Sequence, residues 1–381
     1  MKTAVGRLGG WAVRVGVLVA VFLAAQPPNR LTAQDSQFGI KGLGTPGRWE
    51  SVRARSTGGA FAPFDAFSPL TDASLADARR MSASIAGGTS WRTLEPTGAA
   101  QASLRATRFP ALVIAGPVTP RIVVGGGFAT YLDRTFGVSI QDTINLRGVQ
   151  EPITDEITSD GAVSDLRLGA AARLHRRLAL GFGFHLLTGS SRVIATRSFA
   201  DSTNYRTSTA RDEVAYSGTG GSASLLLDVT RDVRLAGWLR TDSRLRADIG
   251  GRQVAENNLP RTYGAGLQWR AGTQAAFAGT VMWRNWRGAS PADSNSHDTF
   301  NWSVGAELGS LGTPIRFGVR GGQLPFGVGK TPSEVGYSAG LGRQFSGGRG
   351  RLDIGLERLE RKGTGLTERV WTFLVGLTVR P

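Results

Sequence analysis

Cysteine is absent from the 381 residues, which removes disulfide frameworks, thiolate zinc sites and thiol nucleophiles together. Histidine is nearly absent: the 3 present, His175, His185 and His297, stand far apart, without the close spacing that a metal site uses. Lysine is confined to positions 2, 41, 330 and 362, so the excess of 45 basic over 29 acidic residues is an arginine excess. These arginines are spread along the chain, not gathered with aromatics, which argues against nucleic acid as a partner. Beyond the first thirty residues there is no apolar run of about 18 residues, which excludes a bundle of membrane-spanning helices.

Catalytic signatures are also lacking. Gly125-Gly126-Gly127 is followed by no Lys-Ser/Thr pair, so it reads as a bulge or kink in a strand and not as a phosphate loop. Asp155, Glu156 and Asp160 read as a solvated acidic loop before a divalent-cation site. No glycine elbow surrounds a serine near His185, which reads as an inward-facing strand residue. No enzyme activity, metal or cofactor is expected.

What is present begins with an export leader. Lys2, Arg7 and Arg14 precede the apolar run Val15 to Ala25, and Leu31-Thr32-Ala33 supplies a small-residue cleavage site. Residues 1–33 are therefore expected to be a signal peptide, and setting them aside lowers the formal charge from +16 to +12. From about residue 81 onward the apolar period is two, the signature of strands. Phe182, Phe184 and Leu186 alternate with Gly181, Gly183 and His185. Phe300, Trp302, Val304 and Ala306 alternate with Asn301, Ser303, Gly305 and Glu307, and Trp371, Phe373, Val375 and Leu377 alternate with Thr372, Gly376 and Thr378.

A water-soluble sandwich also alternates, but here the polar face mixes charges with many glycines, which suits a crowded lumen. The connections also alternate in length. Short ones fall near 117–120, 175–177, 230–232, 270–273, 310–314 and 346–350; long ones fall near 93–101, 143–160, 199–212, 248–258, 288–297, 324–333 and 362–367. Short turns on one side and long loops on the other are the layout of transmembrane barrels, and lipid forces such a sheet to close on itself. The expected fold is all-β: a transmembrane antiparallel β-barrel of about 14 strands over residues 81–381. Its outer surface meets outer-membrane lipid of a Gram-negative-type bacterium. Trp91, Tyr131, Tyr216, Trp269, Trp283, Trp286, Tyr337 and Trp371 are candidates for interfacial girdles.

Residues 34–80 lack the alternation, and a barrel of this size leaves a bore that water would fill. They are expected to form an N-terminal plug, or hatch. Within them, Ser51, Arg53, Ala54, Gly58, Gly59, Ala60, Phe61 and Asp65 resemble the opening of the FadL-like family of outer-membrane hydrocarbon and fatty-acid transporters. Where that family carries Asn-Pro-Ala, this chain has Leu70-Thr71-Asp72-Ala73. The resemblance implies a fourteen-stranded barrel with an N-terminal hatch that admits hydrophobic small molecules. Phe61, Phe64 and Phe67 are candidates to meet an apolar ligand, and Arg48, Arg53 and Arg55 to hold a carboxylate by paired hydrogen bonds. The alternatives are a structural or secretion-associated barrel that binds protein partners at its extracellular loops, and a general porin.

Overall fold

The computed structural model describes residues 37–381, except 41, 69, 98–101, 147, 290–295, 310–311 and 328. The expected signal peptide lies outside the described residues. The sheet contains eighteen strand segments. One is the two-residue Thr45–Pro46, and three others continue a neighbouring segment across an interruption, which leaves fourteen staves.

In chain order the staves are β1 (Ser82–Pro96), β2 (Ala102–Pro117), β3 (Ile122–Asp133, continued by Phe136–Leu146), β4 (Val149–His175) and β5 (Leu178–Phe199). Next come β6 (Ser208–Asp228), β7 (Val233–Asp242, continued by Leu245–Ile249), β8 (Arg252–Asn257, continued by Thr262–Ala271) and β9 (Ala275–Arg284). The ring is completed by β10 (Thr299–Leu308), β11 (Ile315–Gln323), β12 (Ser333–Phe345), β13 (Gly350–Gly363) and β14 (Leu366–Val379). Every neighbouring pair is antiparallel, and β14 closes on β1 with Trp371 opposite Trp91. Closure leaves no free sheet edge, the condition for a sheet to sit in lipid.

The alternation sorts side chains as the sequence indicates. Along β4, Leu166 and Leu168 are exposed while Asp165 and Arg167 between them are buried. Along β10 and β11, Trp302, Val304, Ile315 and Phe317 face out, and Ser303 and Arg316 face in. A continuous band of half-exposed large apolar residues is far beyond what water tolerates and is the lipid-facing wall of a membrane barrel.

Three expectations are corrected. Residues 143–160, 248–258 and 362–367 are not long loops: they are mostly strand, with Leu146 paired to Val149 and tight turns at 250–251 and 364–365. Gly250 and Gly251 both have positive φ, 58° and 78°, as a two-residue hairpin turn demands. Beyond the bilayer a strand's outer face meets water, so the oily-outside pattern fades and strand reads as loop. Second, Gly125-Gly126-Gly127 forms an unbroken ladder with β2 and β4, and the irregularity in β3 falls later, between Thr130 and Leu132. Third, Tyr131, Tyr216 and Trp286 are buried on the inner side and belong to no girdle, while Trp91, Trp269, Trp283, Tyr337 and Trp371 are exposed.

Residues 37–78 pack against the inward face of the sheet. Two tracks of glycine make room for them. Gly125, Gly169 and Gly183 lie in register on β3, β4 and β5; a side chain on any of them would strike Asp72 or Leu75 of the 3-10 helix Asp72–Asp77. Across the ring, Gly305 and Gly318 are in register and abut the Thr57 backbone, and Gly340 and Gly355 abut Ser56. These glycines are thus seats for the N-terminal segment.

Candidate ligand cavity and the groups beneath it

An apolar space lies at the end of the barrel remote from Ser82 and Val379, where β3 to β8 extend past their neighbours. It is a cavity of about 410 Å³. Phe136, Ile157, Val193, Val214, Leu245 and Ala247 form its walls, and Ile40 and Leu43 from the N-terminal segment close one side. The alternation explains why these residues converge. On β4 the buried odd positions are polar below at Asp165 and Arg167, and above they include Ile153 and Ile157. The same reversal puts Val214 and Tyr216 inward on β6 above Ser222 and Ser224. Above the reversal the strands turn oil inward and charge outward.

Few polar groups enter this space. Arg134, at the interruption of β3, donates from Nη1 to the Gly42 carbonyl at 2.7 Å, and its guanidinium lies 5.9 Å from the Tyr216 ring centre. Its Nε is buried with no hydrogen-bond partner. Tyr216 Oη lies 2.8 Å from Ser191 Oγ. At the mouth Asp155 accepts two hydrogen bonds from Arg197, both 2.7 Å; Asp155 therefore sits on a strand in an ion pair. Among the described residues no cluster of three or more His, Asp or Glu is placed to hold a metal ion.

Leu43, Leu245 and Ala247 also belong to the main apolar core, with Trp49, Tyr131, Leu132, Trp286 and Phe326. Trp286 and Phe326 meet edge to face at 5.3 Å. Below this floor the lumen is ionic. A void of about 140 Å³ is bounded by Arg48, Arg55, Arg92, Arg108, Arg320 and Arg361 with Glu357 and Asp133, a lining hostile to an apolar chain.

The six residues singled out from sequence lie away from the apolar cavity. Arg48 pairs with Glu50 at 3.2 Å and Glu357 at 3.4 Å. Arg53 pairs with Glu307 at 2.7 Å, and Arg55 with Glu357, its Nε donating at 3.2 Å. Phe61 and Phe64 are buried with Ala60, Ala73, Leu226 and Ala236, and Phe67 is half-buried at the start of the next turn. Burial works to raise the Glu50 pKa, but the charges of Arg48, Arg55 and Arg320 outweigh it and hold the carboxyl below its ordinary value.

One constellation was not read from the sequence. His185 Nδ1 lies 2.9 Å from Asp165, its Nε2 lies 2.9 Å from Ser222 Oγ, and Ser222 donates to Asp72 at 2.6 Å. Asp165 is also held by Arg240 at 2.6 Å. The serine–histidine–carboxylate order resembles a hydrolytic triad, but the serine proton is committed to Asp72, and Ala73 lies over the site, its backbone N–H bound to Ser224. The network is a fastening for the N-terminal segment. Asp72 supplies it from the position where the sequence departs from Asn-Pro-Ala.

No protein-family profile matches the sequence, and no curated protein matches it. Solved structures do. A Pseudomonas aeruginosa FadL homologue superposes with a TM-score of 0.62 at 12% identity, covering 88% of this chain and 99% of that one. The P. putida toluene transporter TodX gives 0.58 at 12% identity, with the same coverages. The monoaromatic hydrocarbon channel CymD gives 0.54 at 14% identity, covering 89% of this chain and 98% of that one. Across nearly its whole described length, the chain has the fold of these FadL-type barrels.

Proposed function

We propose that the protein is an outer-membrane channel for the passive uptake of hydrophobic small molecules, hydrocarbons or fatty acids, in a Gram-negative-type bacterium. The observation that carries this reading is the apolar cavity of about 410 Å³ at the end of the barrel remote from Ser82 and Val379. In such barrels the end where every connection is short faces the periplasm, and the longest connections lie at the cavity end, so this end faces outward. A greasy solute gains about 0.8 kcal/mol for each methylene it buries there. The cavity lining suits an aromatic or aliphatic body, and the guanidinium of Arg134 in its wall suits a polar end such as a carboxylate.

The same fold in proteins named for toluene and monoaromatic hydrocarbons supports the substrate class. In this reading the N-terminal segment is a hatch. Phe61, Phe64 and Phe67 pack it, and Arg48, Arg53 and Arg55 tie it to the wall. Onward passage requires the segment to shift, because the ionic void beneath does not admit an apolar chain. The test is uptake of a fluorescent fatty acid, and of toluene, into proteoliposomes carrying the purified barrel. Uptake above that of empty vesicles is expected; equal rates for both solutes would refute the proposal.

A further inference from the structure

The lipid-facing wall carries a second feature, independent of the cavity and its cargo. On the outer surface of β2 to β5, near the short-turn end, lies a depression of about 720 Å³. Its floor is Gly126 and the backbone of Gly125 and Gly169; its sides are Ile114 and Val124 on one hand and Leu168, Phe182 and Phe184 on the other. Register sets its height. Ile122 pairs with Ala172, and four residues higher Gly126 pairs with Leu168, which pairs with Phe184. Four residues of strand cover roughly 13 Å along the strand, about 10 Å along the membrane normal at the ~40° tilt of such strands, within one half of the ~30 Å hydrocarbon core. The depression therefore lies within one leaflet, the leaflet on the side of Ser82 and Val379.

Its lower mouth, at Met81 and Val118, is ringed with positive charge. Arg80 precedes Met81, Arg121 completes the turn that begins at Val118, and Arg176 and Arg177 form the turn joining β4 to β5. All are exposed, as is Arg79, and none makes an ion pair with a described residue. This sets them apart from the inward arginines such as Arg316 and Arg167, which have carboxylate partners. Exposed, unpaired arginines at an interfacial turn attract lipid phosphate, at about 1 kcal/mol each.

We propose that this groove and its arginine rim form a binding site for one anionic glycerophospholipid of the periplasmic leaflet. An acyl chain lies over Gly126 between the aliphatic and aromatic walls, and the phosphate rests among Arg80, Arg121, Arg176 and Arg177. Charge complementarity selects the headgroup, and the absent side chain of Gly126 provides the room for the tail. The site requires only that the barrel sit in a bilayer, so it stands or falls separately from the transported solute.

The experiment is native mass spectrometry of the delipidated barrel in detergent, titrated with dioleoyl phosphatidylglycerol or dioleoyl phosphatidylcholine. The expected result is retention of one phosphatidylglycerol with about ten-fold or greater preference over phosphatidylcholine. The fourfold variant Arg80→Gln, Arg121→Gln, Arg176→Gln, Arg177→Gln loses the preference, and Gly126→Leu weakens retention of both lipids. Equal retention of the two lipids by the unaltered protein overturns the site, as does a preference that survives in the fourfold variant. The first of these readings needs no variant to fold. Uptake assays on the same preparations separate this outcome from the transport proposal.

Discussion

Asp72 accepts a 2.7 Å hydrogen bond from Arg167 Nε across the inner face of the barrel, and both side chains are almost wholly buried. The carboxylate belongs to the N-terminal segment and the guanidinium to β4. The contact therefore couples a part that is not strand to the wall that surrounds it. Removing one partner of a buried pair strands the other charge, at a cost of about 3–5 kcal/mol. Asp72→Ala is expected to release residues 37–78 locally while the closed sheet persists. Limited proteolysis should show faster cleavage within the segment, and the heat-dependent gel mobility of the intact barrel should be unchanged.

Glycine at 318 tests the seat on the opposite wall. A side chain there would overlap the Thr57 carbonyl and the Gly58 nitrogen, whereas at Gly279 the nearest atom is Ser303 O at 3.7 Å. Gly318→Ala is expected to destabilise the docked segment by about 1–3 kcal/mol, the usual range for overpacking. Gly279→Ala should be near neutral on that ground. Protease protection of residues 37–78 in the two variants decides between them.

The cavity is tested from inside. Ala247 lines it and is itself buried, so Ala247→Phe should fill part of it. Losing room for about three methylenes at about 0.8 kcal/mol each corresponds to more than ten-fold weaker binding of an apolar ligand. Calorimetric titration with dodecane-like or aromatic ligands in detergent measures this, and unchanged affinity would place the ligand elsewhere.

Arg134 separates ligand classes. As a residue of the cavity lining, it is expected to hold a carboxylate by a charged hydrogen bond of about 1.5–3 kcal/mol. Arg134→Gln should weaken binding of a fatty acid about ten-fold or more while leaving toluene almost unaffected. Parallel titrations with the two ligands provide the comparison.

Acid should loosen the segment through Glu50. Its pKa in the folded state is held below the ordinary 4.5, so the stabilisation is complete above that value and is lost as pH falls through the lower, folded-state value. Protease sensitivity of residues 37–78 should be flat from neutrality to about pH 5 and rise below about pH 4.5. Glu50→Gln should be more sensitive at neutral pH and show a smaller acid-dependent rise.

The stretches at 300–308 and 371–379 were legible as barrel strands because lipid on one side and packed polar groups on the other hold the alternation in one phase. The top of β4 was not. There Ile153 and Ile157 face inward and Glu156 and Asp160 face water, so the phase reverses and the polar outer residues read as loop. That reversal was the available signal for the cavity. The roles of Arg53 and Arg55 were hidden for another reason: their partners Glu307 and Glu357 lie 254 and 302 residues away, and only ring closure brings them together. Trp286 and Tyr131 were misassigned because an aromatic near a strand end suits an interface and a core equally.

The N-terminal segment is fastened to opposite walls: Asp72 to β4 and β6, and Arg53, Arg55 and Gly58 to β10, β13 and β12. In a ring of fourteen, β5 and β12 stand diametrically across from each other, so the segment is a crossbar. Undoing one end does not eject a crossbar; it becomes a gate swinging on the other, and the aperture opens beside the freed wall.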